Sequence, residues 1–218
     1  MKIGIIGAGR IGHALGVRFA GAGHDVMLSN SRGPGTLNGV VASIDGTSTA
    51  GTVEEAARFG DIVAVAIPTQ AIRDLAPEPF AGKLVIDANN YYPNPDRPVP
   101  ELDSDETISS ELLASLLPGA TVVKAFNTIQ FQRLLDDSRP ELDPEERLAI
   151  PIAGDDADAK RKVSDLIDQI GFTAVDAGTL AETRRQQPGA PLYLEYAEAR
   201  RQGVLVTASR LRELLAES

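Results

Sequence analysis

Cysteine is absent from the chain, and so is tryptophan. Without thiols there is no disulfide, no iron–sulfur cluster, no thiolate zinc site and no Cys nucleophile. Histidine is nearly absent: His13 and His24 are the only two, too few for a histidine-rich metal site. Aromatic residues make up 5% against 43% hydrophobic, so the core is aliphatic. That composition suits alternating βα units rich in Val, Ile and Ala. Positive charge is in deficit, with a net charge of −10 and Lys2, Lys83, Lys124, Lys160 and Lys162 as the only lysines. Such a balance excludes nucleic acid and anionic membrane as partners, because both are bound by basic surface. It also makes a local arginine more telling. No apolar run reaches the ~18 residues of a membrane helix. The opening "MKIGIIGAGR" has neither the apolar segment nor the small-residue cleavage site of a signal peptide. A cytoplasmic protein acting on a small molecule is expected, built as one domain or a domain with a small appendage.

The apolar residues that are present repeat in a regular order. "KIGIIG", 2–7, reads as a buried strand, and Ile11, Leu15 and Phe19 give helical spacing over 10–22. A strand over 25–29 follows, then a short helix over 36–44. Thr52 and Glu55 have capping-box spacing at the head of a helix that Gly60 stops. "DIVAVAIP" is a continuous apolar run, the mark of a central parallel strand. Helix is expected over 69–80, strand over 83–89, helix over 109–117 and strand over 121–126. Strands over 148–154 and 172–178 flank a helix over 156–170, and the tail from Thr179 reads as helices. Right-handed crossovers between these units give an α/β doubly wound, mostly parallel sheet running to about residue 177. Residues 1–135 are expected to bind the dinucleotide. Residues 146–218 form a C-terminal portion with two further strands and helices that cover the cleft. Leu205, Leu211, Leu214 and Leu215 suit either a cover or a homodimer surface. The segment 89–105, with Pro93, Pro95, Pro98 and Pro100, is a long loop of the kind that is usually functional.

Gly7, Gly9 and Gly12 stand in G-x-G-x-x-G spacing between the first strand and the first helix. The first glycine permits a tight turn and the second lets backbone approach a pyrophosphate. The third lets the helix pack on the strand. About 20 residues further on, an NAD-binding chain usually carries an acid for the ribose hydroxyls. Here Ser29, Asn30, Ser31 and Arg32 stand instead, and no acid falls between Val26 and Gly35. Repulsion of a phosphate is removed, donors are added, and Arg32 offers a fork for bidentate grip. The pattern points to NADP(H) through its 2′-phosphate.

A general acid is hard to find. No tyrosine has a lysine four residues on. His13 and His24 read as structural. Lys124 lies in a buried strand, and Arg184 and Arg185 read as a solvated helix face rather than a grip for an anionic acceptor. Hydride transfer between two stacked flat rings needs no general acid and would suit such a site.

The stretches "IGIIGAGRIGHALGVRFAGAGHDVMLSNSR", "AVAIPTQA", "VIDANN", "LLASLLPGATVVKAFNTI" and "IPIAGDDADAKRKVSDLIDQIGFTAVDAGTLAETR" are together more specific than the glycines. They resemble the NADPH-dependent reductases of the deazaflavin coenzyme F-420 and the cytosolic reductase domain of the STEAP metalloreductases. The resemblance spans residues 1 to about 195 and implies a Rossmann-type domain with a small C-terminal helical portion over the cleft. It implies that the run Ala8, Gly9, Arg10, Ile11 and Gly12, behind the turn at Gly7, holds the pyrophosphate. Asn30, Ser31 and Arg32 would hold the 2′-phosphate, and Ile67 and Pro68 would line the path to the nicotinamide. Asn90, Ala125, Phe126 and Asn127 would surround that ring. The implied activity is hydride transfer between NADP(H) and F-420 or a flavin as second substrate. A non-catalytic NADPH-binding regulatory module and a reductase of an unrelated small molecule stay open. A hydroxy-acid dehydrogenase is disfavoured, because the ~40 residues after the last strand are too few for the usual helical domain.

Overall fold

A computed structural model describes residues 1–217. The apolar run after Met1 forms β1 (Lys2–Ile6), followed by α1 (Arg10–Gly21), β2 (Asp25–Ser29), α2 (Asn38–Ala42), β3 (Ser48–Gly51), α3 (Val53–Phe59) and β4 (Ile62–Val65). Next come β5 (Leu84–Asp87), α4 (Pro100–Asp103), α5 (Ser109–Leu116), β6 (Thr121–Lys124) and α6 (Phe131–Asp136). The last third holds β7 (Ala149–Ile152), α7 (Ala157–Gln169), β8 (Thr173–Asp176), α8 (Pro191–Gln202) and α9 (Ala208–Glu217).

Six strands make one parallel sheet in the order β3-β2-β1-β4-β5-β6. The order reverses between β1 and β4, whose pairing brings Ile6 opposite Val65. A crevice at that switch point, outside the carboxyl ends of the strands, is where doubly wound sheets bind ligands. Side chains alternate across the sheet. Ile3 and Ile5 join the core beneath α1, while Ile6, Val63 and Val65 join the core on the α3 and α5 side.

Several sequence expectations hold in detail. Thr52 Oγ1 accepts from Glu55 N, and Thr52 N donates to Glu55 Oε2, a reciprocal cap on α3. Gly60 does end that helix, but in extended backbone (φ −69) rather than the left-handed region. A Cβ there would lie 2.4 Å from the Ile62 oxygen and 2.6 Å from the Gly4 nitrogen. Close packing, not turn geometry, requires the glycine.

Other expectations are corrected. The helix expected over 69–80 is two 3₁₀ turns, Thr69–Asp74 and Glu78–Phe80, because Pro77 and Pro79 cannot donate to an α-helical ladder. Strand β3 carries no apolar alternation and was invisible to the pattern. The parallel sheet does not run on to residue 177. Instead, β7 and β8 pair with each other, and their backbone joins the main sheet through an antiparallel bridge between Lys124 and Ala153. The connection after β6 holds Pro140 and Pro144 and the short α6, which packs against α1. It supplies no crossover helix across the sheet. In the tail, Leu211 is buried and α9 lies on β7 and β8, so its apolar face covers the protein's own second sheet.

Candidate active site

The glycine turn sets the geometry. Gly7 leaves β1 at φ 104, and its N–H donates to the Ser29 carbonyl at 3.0 Å, locking the turn to β2. A Cβ on Gly12 would lie 1.7 Å from the Gly7 carbonyl oxygen, so the first turn of α1 rests directly on the glycine turn. Gly9 caps α1 with no side-chain bond and no acid in the first turn, which leaves amides and the positive helix end open to an anion.

A cleft of about 500 Å³ opens there, between β1 and β4. Gly7, Ala8 and Gly9 form its floor, and Asn30, Ser31 and Arg32 lie at its β2 end. Ile67 and Pro68 complete it on the β4 side, with Ile67 N held by Asn89 Oδ1 at 2.8 Å. The four polar residues after β2 have different roles. Ser29 is buried and its Oγ donates to the Ile5 carbonyl at 3.0 Å, so it ties β2 to β1. Asn30 Oδ1 accepts from Arg32 N and its Nδ2 donates to Thr36 Oγ1, both at 2.9 Å, so Asn30 shapes the loop. Ser31 and Arg32 are left facing the cleft, and the Arg32 guanidinium has no partner among the described residues. The turn Thr69–Asp74 also brings the Asp74 carboxylate to the cleft wall, a placement that no local pattern shows.

A second cleft, about 630 Å³, lies around the N-terminus of α1 and takes in Arg10, Ile11, Asn90, Phe126 and Asn127. Asn90 Nδ2 donates to the Asn127 carbonyl at 2.7 Å. Asn127 Nδ2 donates to Asn90 Oδ1 at 3.1 Å and to the Gln186 carbonyl at 2.7 Å. This double link ties the ends of β5 and β6 to the C-terminal region. Phe126 sits at φ 65, a left-handed conformation that costs a bulky residue about 1–3 kcal/mol. It is fully buried and packs edge-on to Phe19 at 6.3 Å. That packing holds the strained turn that presents Asn127. Asn127 Oδ1 is buried on this wall without a hydrogen-bond partner.

Gly12 and Ala125 line neither cleft. Gly12 is a packing contact, and the buried Ala125 donates its N–H to the Asp87 carbonyl at 3.1 Å. Lys124 is buried too. Its Nζ bonds Asp87 Oδ2 at 3.0 Å and the Asn89 carbonyl at 2.5 Å, and Ser110 Oγ donates to the same carboxylate oxygen at 2.7 Å. Lys124 therefore braces the turn after β5 and reaches no cleft. His24 is buried at the opposite end of the sheet beside the N-terminal amine, and burial lowers its pKa. His13 contacts Ser43 Oγ at 3.2 Å. Arg184 and Arg185 pair with Asp105 and Glu182, both at 3.2 Å.

The second cleft also contains residues the sequence reading missed: Tyr92, Tyr193 and Arg200. The Tyr92 and Tyr193 hydroxyls meet at 2.6 Å across 101 positions of sequence. Desolvation of the hydroxyl and this bond push the Tyr92 phenol above its ordinary range, although 54% of the residue remains exposed. The one available signal was the clustering of four tyrosines in residues 91–92 and 193–196 of a chain otherwise without them.

The sequence profile of the family described as NADP oxidoreductase coenzyme F420-dependent matches residues 2–91. Metalloreductase STEAP3 of Rattus norvegicus is 32% identical over 185 residues, 84% of this chain and 35% of that protein. The chain spans about a third of the length of the metalloreductases it matches. A solved structure of a hypothetical protein from Sinorhizobium meliloti is 35% identical, with a TM-score of 0.75 over 88% of this chain and 92% of that one. A putative F420-dependent NADP-reductase from Arthrobacter sp. FB24 shares the fold, with a TM-score of 0.72 and 22% identity over 94% and 96% of the two chains. These likenesses and the strand order identify an NAD(P)-binding oxidoreductase fold. Among the described residues no helix is long and apolar enough to cross a membrane, and no cluster of acidic, His or Cys side chains is placed to hold a metal.

Proposed function

The chain belongs to one family with the Sinorhizobium meliloti protein and carries the NADP oxidoreductase profile over residues 2–91, and from there we propose that it is an NADP(H)-dependent oxidoreductase. It transfers a hydride between the nicotinamide and a flat acceptor, the deazaflavin F-420 or a flavin. The observation that carries the cofactor choice is Arg32, an unpaired guanidinium at the end of β2 inside the switch-point cleft. Ser31 and Arg32 grip the 2′-phosphate. The amides of Ala8 to Gly12 receive the pyrophosphate at the head of α1. Ile67 and Pro68 pack along the path between the two clefts. The linked side chains of Asn90 and Asn127, on the turn held by Phe126, position the nicotinamide. The unpartnered Asn127 Oδ1 is an acceptor suited to a carboxamide N–H. When bound, NADPH supplies the hydride, and the protein holds the two rings face to face and excludes water. In this reading residues 1–135 form the nucleotide-binding part. The portion 146–218 contributes the outer wall of the acceptor cleft through α8.

The test is titration with NADPH and NADH, followed by mixing with F-420, FMN and riboflavin while reduced-nicotinamide absorbance is followed. Tight NADPH binding with loss of absorbance on one of these acceptors is expected. Tight binding without turnover on any acceptor would instead make the chain a regulatory NADPH-binding module. The Tyr92–Tyr193 hydroxyl pair favours a second reading, reduction of an unrelated small molecule that needs a proton at the same cleft.

A further inference from the structure

The second cleft has an electrostatic character opposite to that of the molecule. The chain has 31 acidic residues against 21 basic ones, and most of its arginines pair with a carboxylate. Yet no Asp or Glu lines this cleft, while Arg10 and Arg200 do, and neither makes an ion pair among the described residues. Arg10 is the first residue of α1 and Arg200 stands near the end of α8, so the two charges come from separate parts of the fold. The Arg10 guanidinium lies over the Phe131 ring, 5.3 Å from its centroid. Such a cation–π contact holds the group beside the ring and leaves its N–H donors free for an anion. Deeper in the same cleft is the buried, unpartnered Asn127 Oδ1, the atom assigned above to the nicotinamide carboxamide, so the acceptor would lie between it and the two arginines. Buried polar atoms without partners in a native fold call for a ligand or solvent to satisfy them. The cleft thus combines a polar atom within, aromatic surface from Phe131, Tyr92 and Tyr193, and two free guanidinium groups.

We propose that this cleft selects its acceptor by an anionic substituent: a flat heteroaromatic ring bearing a phosphoryl or carboxylate group, which Arg10 and Arg200 hold. The proposal rests on the reading of this cleft as the acceptor's site. The amide of Arg10 serves the pyrophosphate at the head of α1, while its side chain turns to the acceptor. Arg200 has no part in cofactor binding. Two guanidinium groups on one anion give charge-assisted contacts, and neutralising one of them weakens the grip by about tenfold or more.

The experiment compares FMN with riboflavin, which differ only in the phosphate. Each is titrated, by quenching of its fluorescence, into the full chain saturated with NADP⁺, so that no turnover occurs. FMN is expected to bind about tenfold or more tightly than riboflavin. Arg200→Gln should remove most of that difference while riboflavin affinity stays the same, and Arg200→Lys should restore part of it. Added salt should weaken FMN alone. Equal affinity for FMN and riboflavin would overturn the proposal. So would an Arg200→Gln variant that loses NADPH affinity and keeps the FMN preference, since the arginine would then serve the cofactor. Loss of both flavins together in Arg200→Gln, with the circular-dichroism spectrum and melting curve unchanged, would also overturn it. Binding is measured apart from hydride transfer. Reduction of riboflavin and FMN with no preference defeats this proposal and spares the oxidoreductase reading, whereas FMN selectivity without reduction does the reverse.

Discussion

The two clefts flank the same helix N-terminus but are built in different ways. The first is made mostly of backbone: Gly7 and Gly9, open amides and apolar walls, with Ser31 and Arg32 as the side chains that face it from the β2 end. The second is made of side chains gathered from the turns after β5 and β6 and from α1, α6 and α8, held by bonds that span 37, 59 and 101 positions. A backbone site tolerates variation in side chains and fails when a glycine acquires a Cβ. A side-chain site keeps its frame and changes its ligand. In the proposed reading, a fixed backbone frame serves the nucleotide and an adjustable set of side chains serves the second substrate.

The glycines test the first half of the comparison and should give the largest effects. Gly12→Ala puts a Cβ into the Gly7 carbonyl, and backbone must move to relieve it. Overpacking of this kind costs about 1–3 kcal/mol or more, so both the melting temperature and NADPH binding should fall. Gly9→Ala is the contrast, because a Cβ there meets nothing within 4 Å. Chemical denaturation should show stability close to that of the parent, while NADPH affinity drops because the Cβ occupies the space the pyrophosphate needs. Equal destabilisation by both substitutions would refute separate packing and binding roles.

Arg32→Ala sharpens the same cleft at its single charged grip. One charge-assisted contact is worth about 1.5–3 kcal/mol, so NADPH affinity should fall by roughly 10- to 150-fold. NADH affinity, read in the same calorimeter, should stay nearly constant. A parallel loss for both nucleotides would remove the 2′-phosphate from this site, and the Asp74 carboxylate on the opposite wall would become the determinant to study.

The same division explains what could be read from the sequence. The glycine spacing, the missing acid after β2 and the capping box are local patterns; the fold closes the cap on α3 and sets Gly7, Gly9, Ser31 and Arg32 around one cleft. Strand β3 was not legible because Ser48–Gly51 owes its extended form to pairing with β2, not to apolar alternation. The break between β6 and β7 was not legible because a strand's own residues do not record which partner it pairs with. Asn90 and Asn127 could be named only through family likeness. The resemblance assigns no role to Tyr193 or Arg200, and only the folded chain brings them to Tyr92 and Arg10.

The smallest effect is expected at the tyrosine pair, which joins the proline-rich segment 89–105 to α8. Tyr92→Phe removes one half-exposed hydrogen bond, worth about 0.5–1 kcal/mol. Fold and NADPH affinity should persist, while amide exchange in the segment 89–105 should quicken as its tie to α8 is lost. Because the folded state holds the Tyr92 pKa above its ordinary value of about 10, the folded chain keeps a proton that the unfolded chain releases. This contribution is therefore complete below about pH 10 and lost as pH rises beyond it. Denaturation curves across that range should show a shallower alkaline decline for Tyr92→Phe than for the parent. The Tyr92→Phe and Tyr193→Phe changes should be non-additive in a double-mutant cycle, since either one removes the same bond. Additive effects would mean that the two hydroxyls act separately and that no bond between them joins the segment 89–105 to α8.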